Sequence, residues 1–476
     1  MNAGRLVRDV AVAPLDLVRL GQVLPPGRAA VLRDTAASAR ELLHGRVVWN
    51  VNSTPHGGGV AEMLKSLLAY SRGAGIDARW LVIGGDAEFF AITKRLHNRL
   101  HGARGDGGAL DDAARVHYRE VLAANLRELA ARIGPEDIVL LHDPQTAGLV
   151  DGLRPHSTAV IWRCHIGSDV SSAETEEGWG FLRPFVRSAA ACIFSRRQYA
   201  PEWLPAERVH VVPPSIDPFS PKNIDLADAD AAAVLLRAGL IAGSDRRRPP
   251  DAESRVRRHR GLVLDGNSPP ETARLVLQVS RWDRLKDMTG VLTAFADADE
   301  ALPADVHLML AGPDVAGVAD DPEAAEVRAD CVDRWRACPP SLRRRIHLAT
   351  LPMDDPTENA LLVNALQSHA SVVTQKSLAE GFGLTVTEAM WKARPVLASA
   401  VGGIPDQIVD GRDGILLADP HDLVSFATLL GNLLQDEAAA RELGIGARER
   451  VRDRFLGDRH LEQYVALFAE LTAAKR

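Results

Sequence analysis

Short apolar runs rich in valine, isoleucine and leucine recur along this chain, and the segments between them turn helical. The first series is RVVWNVNS (46–53), ARWLVIG (78–84), then 138–142, 159–164, 190–195 and 209–212. A second comprises LVLQVS (275–280), HLMLAG (307–312), IHLAT (346–350), SVVTQ (371–375), 396–399 and GILLA (414–418). Runs this short and apolar are strands buried on both faces, and strands separated by helices must pair in parallel. The pattern predicts two Rossmann-like, doubly wound α/β domains. With 476 residues the chain also exceeds the size at which one core keeps growing. The expected division is 1–215, joined by a returning C-terminal helix over 456–476, then a linker over 216–270, then 271–455. Residues 1–44 read as helical and amphipathic.

Composition narrows the function by exclusion. A hydrophobic content of 46% and a charged content of 25% are ordinary for a globular protein. A net charge of −7 argues against a nucleic-acid partner, whose footprint would be basic. The four cysteines, Cys164, Cys192, Cys331 and Cys338, form no C-x-x-C pair, so neither a zinc site nor a disulfide framework is expected. The first twenty residues lack the apolar core of a secretory signal, and no run approaches the ~18 apolar residues of a membrane span. A cytoplasmic chain without a membrane partner is expected.

The stretch KSLAEGFGLTVTEAMWKARPVLASAVGGIPDQI (376–408) carries the strongest chemical signal. Gly381 and Gly383 bracket Phe382 after a strand, so the backbone can turn tightly and approach a ligand. A helix then begins at Leu384, and its first turn offers amide N–H groups and a positive dipole end to a phosphate. Glu380 precedes that turn and Glu388 lies inside the helix. Carboxylates repel phosphate, so they are suited to accept hydrogen bonds from hydroxyls on either side of it, as in a nucleotide sugar. Arg281 and Lys286, just after the strand 275–280, would hold a diphosphate and stabilise it as it leaves.

In the first half, Gly57, Gly58 and Gly59 follow the opening strand, and Asp143 and His165 follow two others. Ligands of open parallel sheets bind beyond the carboxyl ends of strands. A glycine loop also suits a dehydrogenase, but the G-x-G-x-x-G spacing is absent and no acidic residue ends the next strand.

With these residues in view, the chain resembles the trehalose glycosyltransferring synthases, retaining enzymes of the GT-B fold in glycosyltransferase family 4. The resemblance runs nearly end to end. It is carried by NSTPHGGGVAEML (52–64), WLVIGGDAEFFAITKRLHNRLHG (80–102), LLHDPQTAGL (140–149), WRCHIGSD (162–169), WGFLRPFV (179–186), VVPPSIDPFSPKN (211–223), VSRWDRLKD (279–287) and the E-x7-E element Glu380–Glu388. It implies two domains facing each other across a cleft, and trehalose formed from ADP-, UDP- or GDP-glucose and free glucose, reversibly. Glu380 would bind the donor glucose and Glu388 the ribose. Arg281 and Lys286 would grip the diphosphate, assisted by the amides of Gly383 and Leu384. His165 would touch the donor sugar near its 6-hydroxyl, and the Gly57–Gly59 loop would close over the reacting centre. Lys94, Asn98, Asp143 and Gln145 would serve the acceptor. No cofactor and no metal are required, magnesium entering only as a stimulating ion. The partners are small sugars and sugar nucleotides, with a homodimer admissible.

A retaining trehalose phosphorylase on the same fold is the nearest alternative, and a nicotinamide-dependent oxidoreductase with paired Rossmann domains a remoter one. A silent sugar-nucleotide binder would not need every cationic and acidic position above. The segment 246–260 departs from the family pattern, with arginines at 246, 247, 248, 255, 257, 258 and 260 against Asp251 and Glu253. Its two prolines mark it as a solvated loop rather than an anion-binding flap. Replacing Arg246, Arg247 and Arg248 together with serine is expected to leave turnover nearly unchanged. Kinetics with varied nucleotide glucose checks this, and a large loss of donor affinity would place the segment at the site.

Overall fold

A computed structural model describes residues 6–55, 58–243, 256, 267–314 and 322–473. Gly57 and all of the 246–260 segment except Val256 lie outside the described residues. The chain divides into two compact units, residues 1–215 with 455–476 and residues 216–454.

The sheet of the first unit is built from β1 (Arg8–Val10), β2 (Val48–Asn52), β3 (Ala78–Val82), β4 (Ile138–His142), β5 (Ala159–Cys164), β6 (Ala191–Phe194) and β7 (Val209–Val211). Their order is β1-β3-β2-β4-β5-β6-β7. All neighbours are parallel except β1, which runs antiparallel to β3 with Arg8 opposite Val82. The expectation that residues 1–44 are helical is corrected there. Three residues are too few to show a strand period, and an edge strand needs only one apolar side. Helices Leu17–Gly21 and Pro26–Leu42 account for much of the rest of that segment.

β2, β4, β5 and β6 are buried along their whole length, as strands with helices on both faces must be. The last helix, Gly457–Ala473, belongs to this unit. It buries Leu461, Tyr464, Leu467 and Phe468, Gln463 Nε2 donates to the carbonyl of Val211 at 3.2 Å, and Arg28 Nε donates to Asp458 at 3.0 Å.

The second unit holds β8 (Arg274–Val279), β9 (Val306–Pro313), β10 (Ile346–Leu351), β11 (Val372–Gln375), β12 (Val396–Ser399) and β13 (Ile415–Leu417). The order is β10-β9-β8-β11-β12-β13, all parallel. Residues 216–243 were expected in a linker, but they are part of this unit. Helix Asp228–Ala238 packs on helix Pro356–His369, with Ala231, Ala232, Val234 and Leu235 buried. Asn364 donates to the carbonyls of Pro221 at 3.1 Å and Ile224 at 2.9 Å. Burial of that alanine-rich face removes the segment from solvent, which a linker would not allow.

In each sheet the chain winds outward from one strand and then returns to that strand's other side. That reversal falls between β2 and β4 in the first unit and between β8 and β11 in the second. Loops leaving adjacent strands there diverge to opposite faces and leave a crevice between them.

Helix Leu384–Trp391, which carries Glu388, packs against helix Glu437–Arg454. The approach is close at Gly444, where a Cβ would stand 2.2 Å from the carbonyl oxygen of Ala393. Gly444→Ala is expected to destabilise the second unit by about 1–3 kcal/mol, the usual cost of forcing atoms into a packed contact. Thermal unfolding followed by circular dichroism would register this as a lowered transition.

Candidate active site

At the reversal point of the second unit, one buried glutamine joins both loops. Gln278, near the end of β8, donates from Nε2 to the carbonyl of Lys286 at 2.7 Å and accepts at Oε1 from the amide of Lys376 at 3.0 Å. The amide of Leu378 reaches the carbonyl of Leu285 at 2.8 Å. The loop after β8 and the loop after β11 are thereby locked side by side. Asp283 caps the turn by accepting from Leu285 N at 2.9 Å, and its other oxygen holds half-exposed Arg281 at 2.7 Å. Asp287 adopts a left-handed conformation at φ 46° and accepts from Gly290 N at 3.1 Å, capping the next helix. It also pairs with Lys376, whose side chain is wholly buried.

Lys286 forms an ion pair with Glu380. The sequence assigned these two charges to different parts of one ligand. Being of opposite sign on neighbouring strand ends, they attract each other as well. Gly383 stands at φ 86°, a conformation glycine adopts without strain, and a Cβ there would meet Glu380 Cγ at 3.1 Å. Gly403 N donates to the carbonyl of Gly381 at 3.1 Å, and Gln407 Nε2 donates to that of Phe382, so the glycine loop is held from behind. No side chain caps the helix Leu384–Trp391 at Gly383. In its first turn Val386 N donates to the carbonyl of Gly383 at 2.9 Å, while the amides of Leu384 and Thr385 make no hydrogen bond among the described residues. Glu388 faces inward on that helix, with Lys222 Nζ 3.6 Å from its Oε1.

In the first unit the strand ends carry a second polar group. His142 Nε2 lies 3.1 Å from Asn50 Oδ1, and His142 Nδ1 lies 3.1 Å from His165 Nε2. Asp143 sits at φ 65° and accepts at Oδ1 from the amide of His165 at 2.8 Å. Beneath them is Arg163, fully buried, bonded to His460 Nε2 at 2.8 Å, to the Tyr464 hydroxyl and to the carbonyl of Val212 at 3.2 Å. Burial, reinforced by the Arg163 charge, pushes His142 down to about 3 and His165 and His460 well below the ordinary imidazole range. The cluster is made of neutral imidazoles, each able to donate at one nitrogen and accept at the other. Burial pushes Asp143 up to about 7 against the opposing pull of the His165 amide and of Arg163.

Of the acceptor candidates, Asp143 and half-buried Gln145 lie together in the turn after β4. Lys94 and Asn98 share the helix Ala87–Leu100, Lys94 exposed and Asn98 half-buried against the Gly105 turn. No hydrogen bond or ion pair joins these two to Asp143 or Gln145 among the described residues. Of the glycine loop, Gly58 and Gly59 begin the helix Gly58–Gly73. Among the described residues no cluster of three or more His, Cys, Asp or Glu is disposed to hold a metal ion.

Gln278, Lys376, Asp287, His142, Arg163 and His460 escaped the sequence reading. For Gln278, His142 and Arg163 the signal was a polar residue inside an otherwise apolar strand, as in RLVLQV, IVLLH and AVIWRC, and the other three are partners brought in from elsewhere in the chain. Such a side chain must find a partner, because both faces of the strand are dry.

The family described as trehalose synthase, N-terminal domain, matches residues 50–201, and the glycosyl transferases group 1 family matches residues 273–436. A trehalose synthase of Thermococcus litoralis is 36% identical over 420 residues, covering 88% of this chain and 89% of that one. The chain belongs to the trehalose synthase family. A trehalose phosphorylase of Pleurotus pulmonarius is more distant, 27% identical over 428 residues that cover 84% of this chain and 54% of that protein. Among solved structures, the α,α-trehalose 6-phosphate synthase of Burkholderia multivorans superposes with a TM-score of 0.64 at 16% identity, over 90% of this chain and 100% of that one. At that identity the likeness speaks for the fold, which is GT-B.

Asp143 makes a pH test available in this family member. Its carboxyl is raised in the fold from an ordinary value near 3.8 to about 7. The stability it contributes is complete below 3.8 and is lost as pH rises through about 7. Asp143→Asn keeps the oxygen that accepts from His165, tolerates the positive φ and removes the ionisation. The variant is expected to gain on the order of 1–2 kcal/mol over the wild type at pH 8, with the gain vanishing toward pH 4. Urea unfolding at the two pH values measures it.

Proposed function

We propose that the chain is a retaining hexosyltransferase that makes trehalose from a nucleoside-diphosphate glucose and free glucose. The observation that carries this is the Lys286–Glu380 pair beside the uncapped turn of the helix Leu384–Trp391, at the reversal point of the second sheet. A cation and free helical amides suit a diphosphate, and a carboxylate in contact with that cation suits the hydroxyls of the attached sugar.

In this proposal Arg281, Lys286 and the amides of Gly383 and Leu384 take the diphosphate, Glu380 the transferred glucose and Glu388 the ribose. His165 contacts the transferred glucose, the Gly57–Gly59 stretch covers the reacting carbon, and Asp143, Gln145, Lys94 and Asn98 serve the acceptor. The anomeric hydroxyl of the acceptor attacks C1 of the donor from the face that the diphosphate leaves. The C1–O bond breaks with its electron pair going to the diphosphate oxygen, which takes the proton of the attacking hydroxyl. The products are trehalose and a nucleoside diphosphate. Charge accumulates on the leaving diphosphate and on an oxocarbenium-like sugar, so fixed cations and oriented carboxylates lower the barrier by positioning and electrostatics. That is a different use of carboxylates from the paired acid and nucleophile of a glycosidase.

Incubation with ADP-, UDP- or GDP-glucose plus glucose is expected to yield a non-reducing disaccharide. Phosphate-dependent breakdown of trehalose in place of that product would favour the phosphorylase alternative. The two glutamates should separate by role. Glu380→Ala is expected to lower kcat by about 10²–10³-fold, because its sugar contact strengthens as charge develops. Glu388→Ala should chiefly raise KM for the donor, since the ribose does not change during the reaction. A greater kcat loss in Glu388→Ala, with donor affinity unchanged, would reverse the assignment.

A further inference from the structure

The motif VVPPSIDPFSPKN is not consumed by the chemistry above, yet its last residues reach the helix that carries Glu388. The segment from Ile216 onward belongs to the second unit. Both neighbours of Lys222 are fastened by their backbones. The carbonyl of Pro221 accepts from Asn364 Nδ2 at 3.1 Å, and the carbonyl of Asn223 accepts from the buried indole of Trp391 at 3.0 Å. Asn223 is fixed again by its side chain, which donates to the carbonyl of Asp217 at 3.1 Å and accepts from Lys392 Nζ at 3.3 Å. From this anchored loop the Lys222 ammonium stands 3.6 Å from Glu388 Oε1, with the two side chains 20% and 4% exposed.

The other charged groups around Glu388 are engaged differently. Lys392 Nζ donates to the backbone carbonyl of Glu388 at 3.1 Å. Arg448 is held by both oxygens of Asp225 at 2.8 Å and lies over the Trp391 ring at 4.6 Å. Burial pushes Lys392 below the ordinary lysine range, with Glu388 opposing that fall. A cation beside a buried carboxylate favours its ionised form. Lys222 stands at that head.

We propose that Lys222 is a positioning residue for Glu388, keeping its carboxylate charged and turned toward the ribose diol of a ribonucleoside diphosphate, and so sets the preference for ribose over deoxyribose. This role rests on the ribose contact proposed above for Glu388. A hydroxyl donating to an ionised, oriented carboxylate is bound more firmly than one donating to a neutral or displaced acid. Removing Lys222 therefore weakens only ligands that carry the diol.

The test is calorimetric binding of ADP, UDP and GDP, each beside its 2′,3′-dideoxy counterpart, to the full chain. The wild type is expected to favour the diol form of the best-bound nucleotide by about 10–100-fold. Lys222→Met and Lys222→Gln should each weaken the diol form about tenfold and the dideoxy form less than about twofold, and Lys222→Arg should restore most of the difference. Glu388→Ala should abolish the preference. An equal loss on both ligands, or an unchanged preference in folded Lys222→Met and Lys222→Gln, would overturn the Lys222 role alone, provided Glu388→Ala still abolishes it. A preference that survives Glu388→Ala, or no binding of any nucleotide by the wild type, would remove the ribose role of Glu388 and the Lys222 role with it.

Discussion

A parallel strand covered by helices on both faces has nowhere to place a polar side chain except at its end or in a bond to another buried group. That constraint organises both units. Where β8 and β11 end, Gln278 spans the gap, and the residues that can meet a ligand begin just beyond it. Where β4 and β5 end, His142 and His165 hold each other and Asn50 supports the pair from β2. The inner members of these groups are buried amides, neutral rings and one cation, Arg163, which is held by His460, Tyr464 and the carbonyl of Val212. The dry interior admits a charge only where hydrogen bonds or an opposite charge hold it, as they hold Arg163 and Lys376.

The same constraint explains what could be read from the sequence. The two strand series were legible because a doubly buried strand is predominantly apolar, and the glycine-bracketed turn between Glu380 and Glu388 was legible because its residues are adjacent in sequence. Gln278 was not, since its meaning depends on the loop carrying Lys376, which arrives almost a hundred residues later. The helix Asp228–Ala238 illustrates a different limit. Its helical character is evident in ADAAAVLLRA, but its membership is decided by helix Pro356–His369, which covers its apolar face. β1 is the opposite case, a strand made by its partner β3 rather than by its own three residues.

Membership in the trehalose synthase family and the GT-B fold accounts for the architecture, but the local geometry adds detail the motifs do not carry. Lys286 and Glu380 touch, Lys376 is buried against a left-handed Asp287, and Gly383 leaves room for the Glu380 side chain. These contacts fix loops that glycine alone would leave free, and substrate groups can be met by side chains already in place.

Arg163 has a consequence for how the chain is made. Its guanidinium lies in the middle of the first sheet, but two of its partners, His460 and Tyr464, come from the last helix. As the polypeptide leaves the ribosome, the first unit must wait with that buried cation incompletely satisfied until residue 464 has emerged. The second unit, contained within residues 216–454, has all its residues available earlier. The order of completion is thus the reverse of the order of synthesis, and the earliest residues are the last to be sealed.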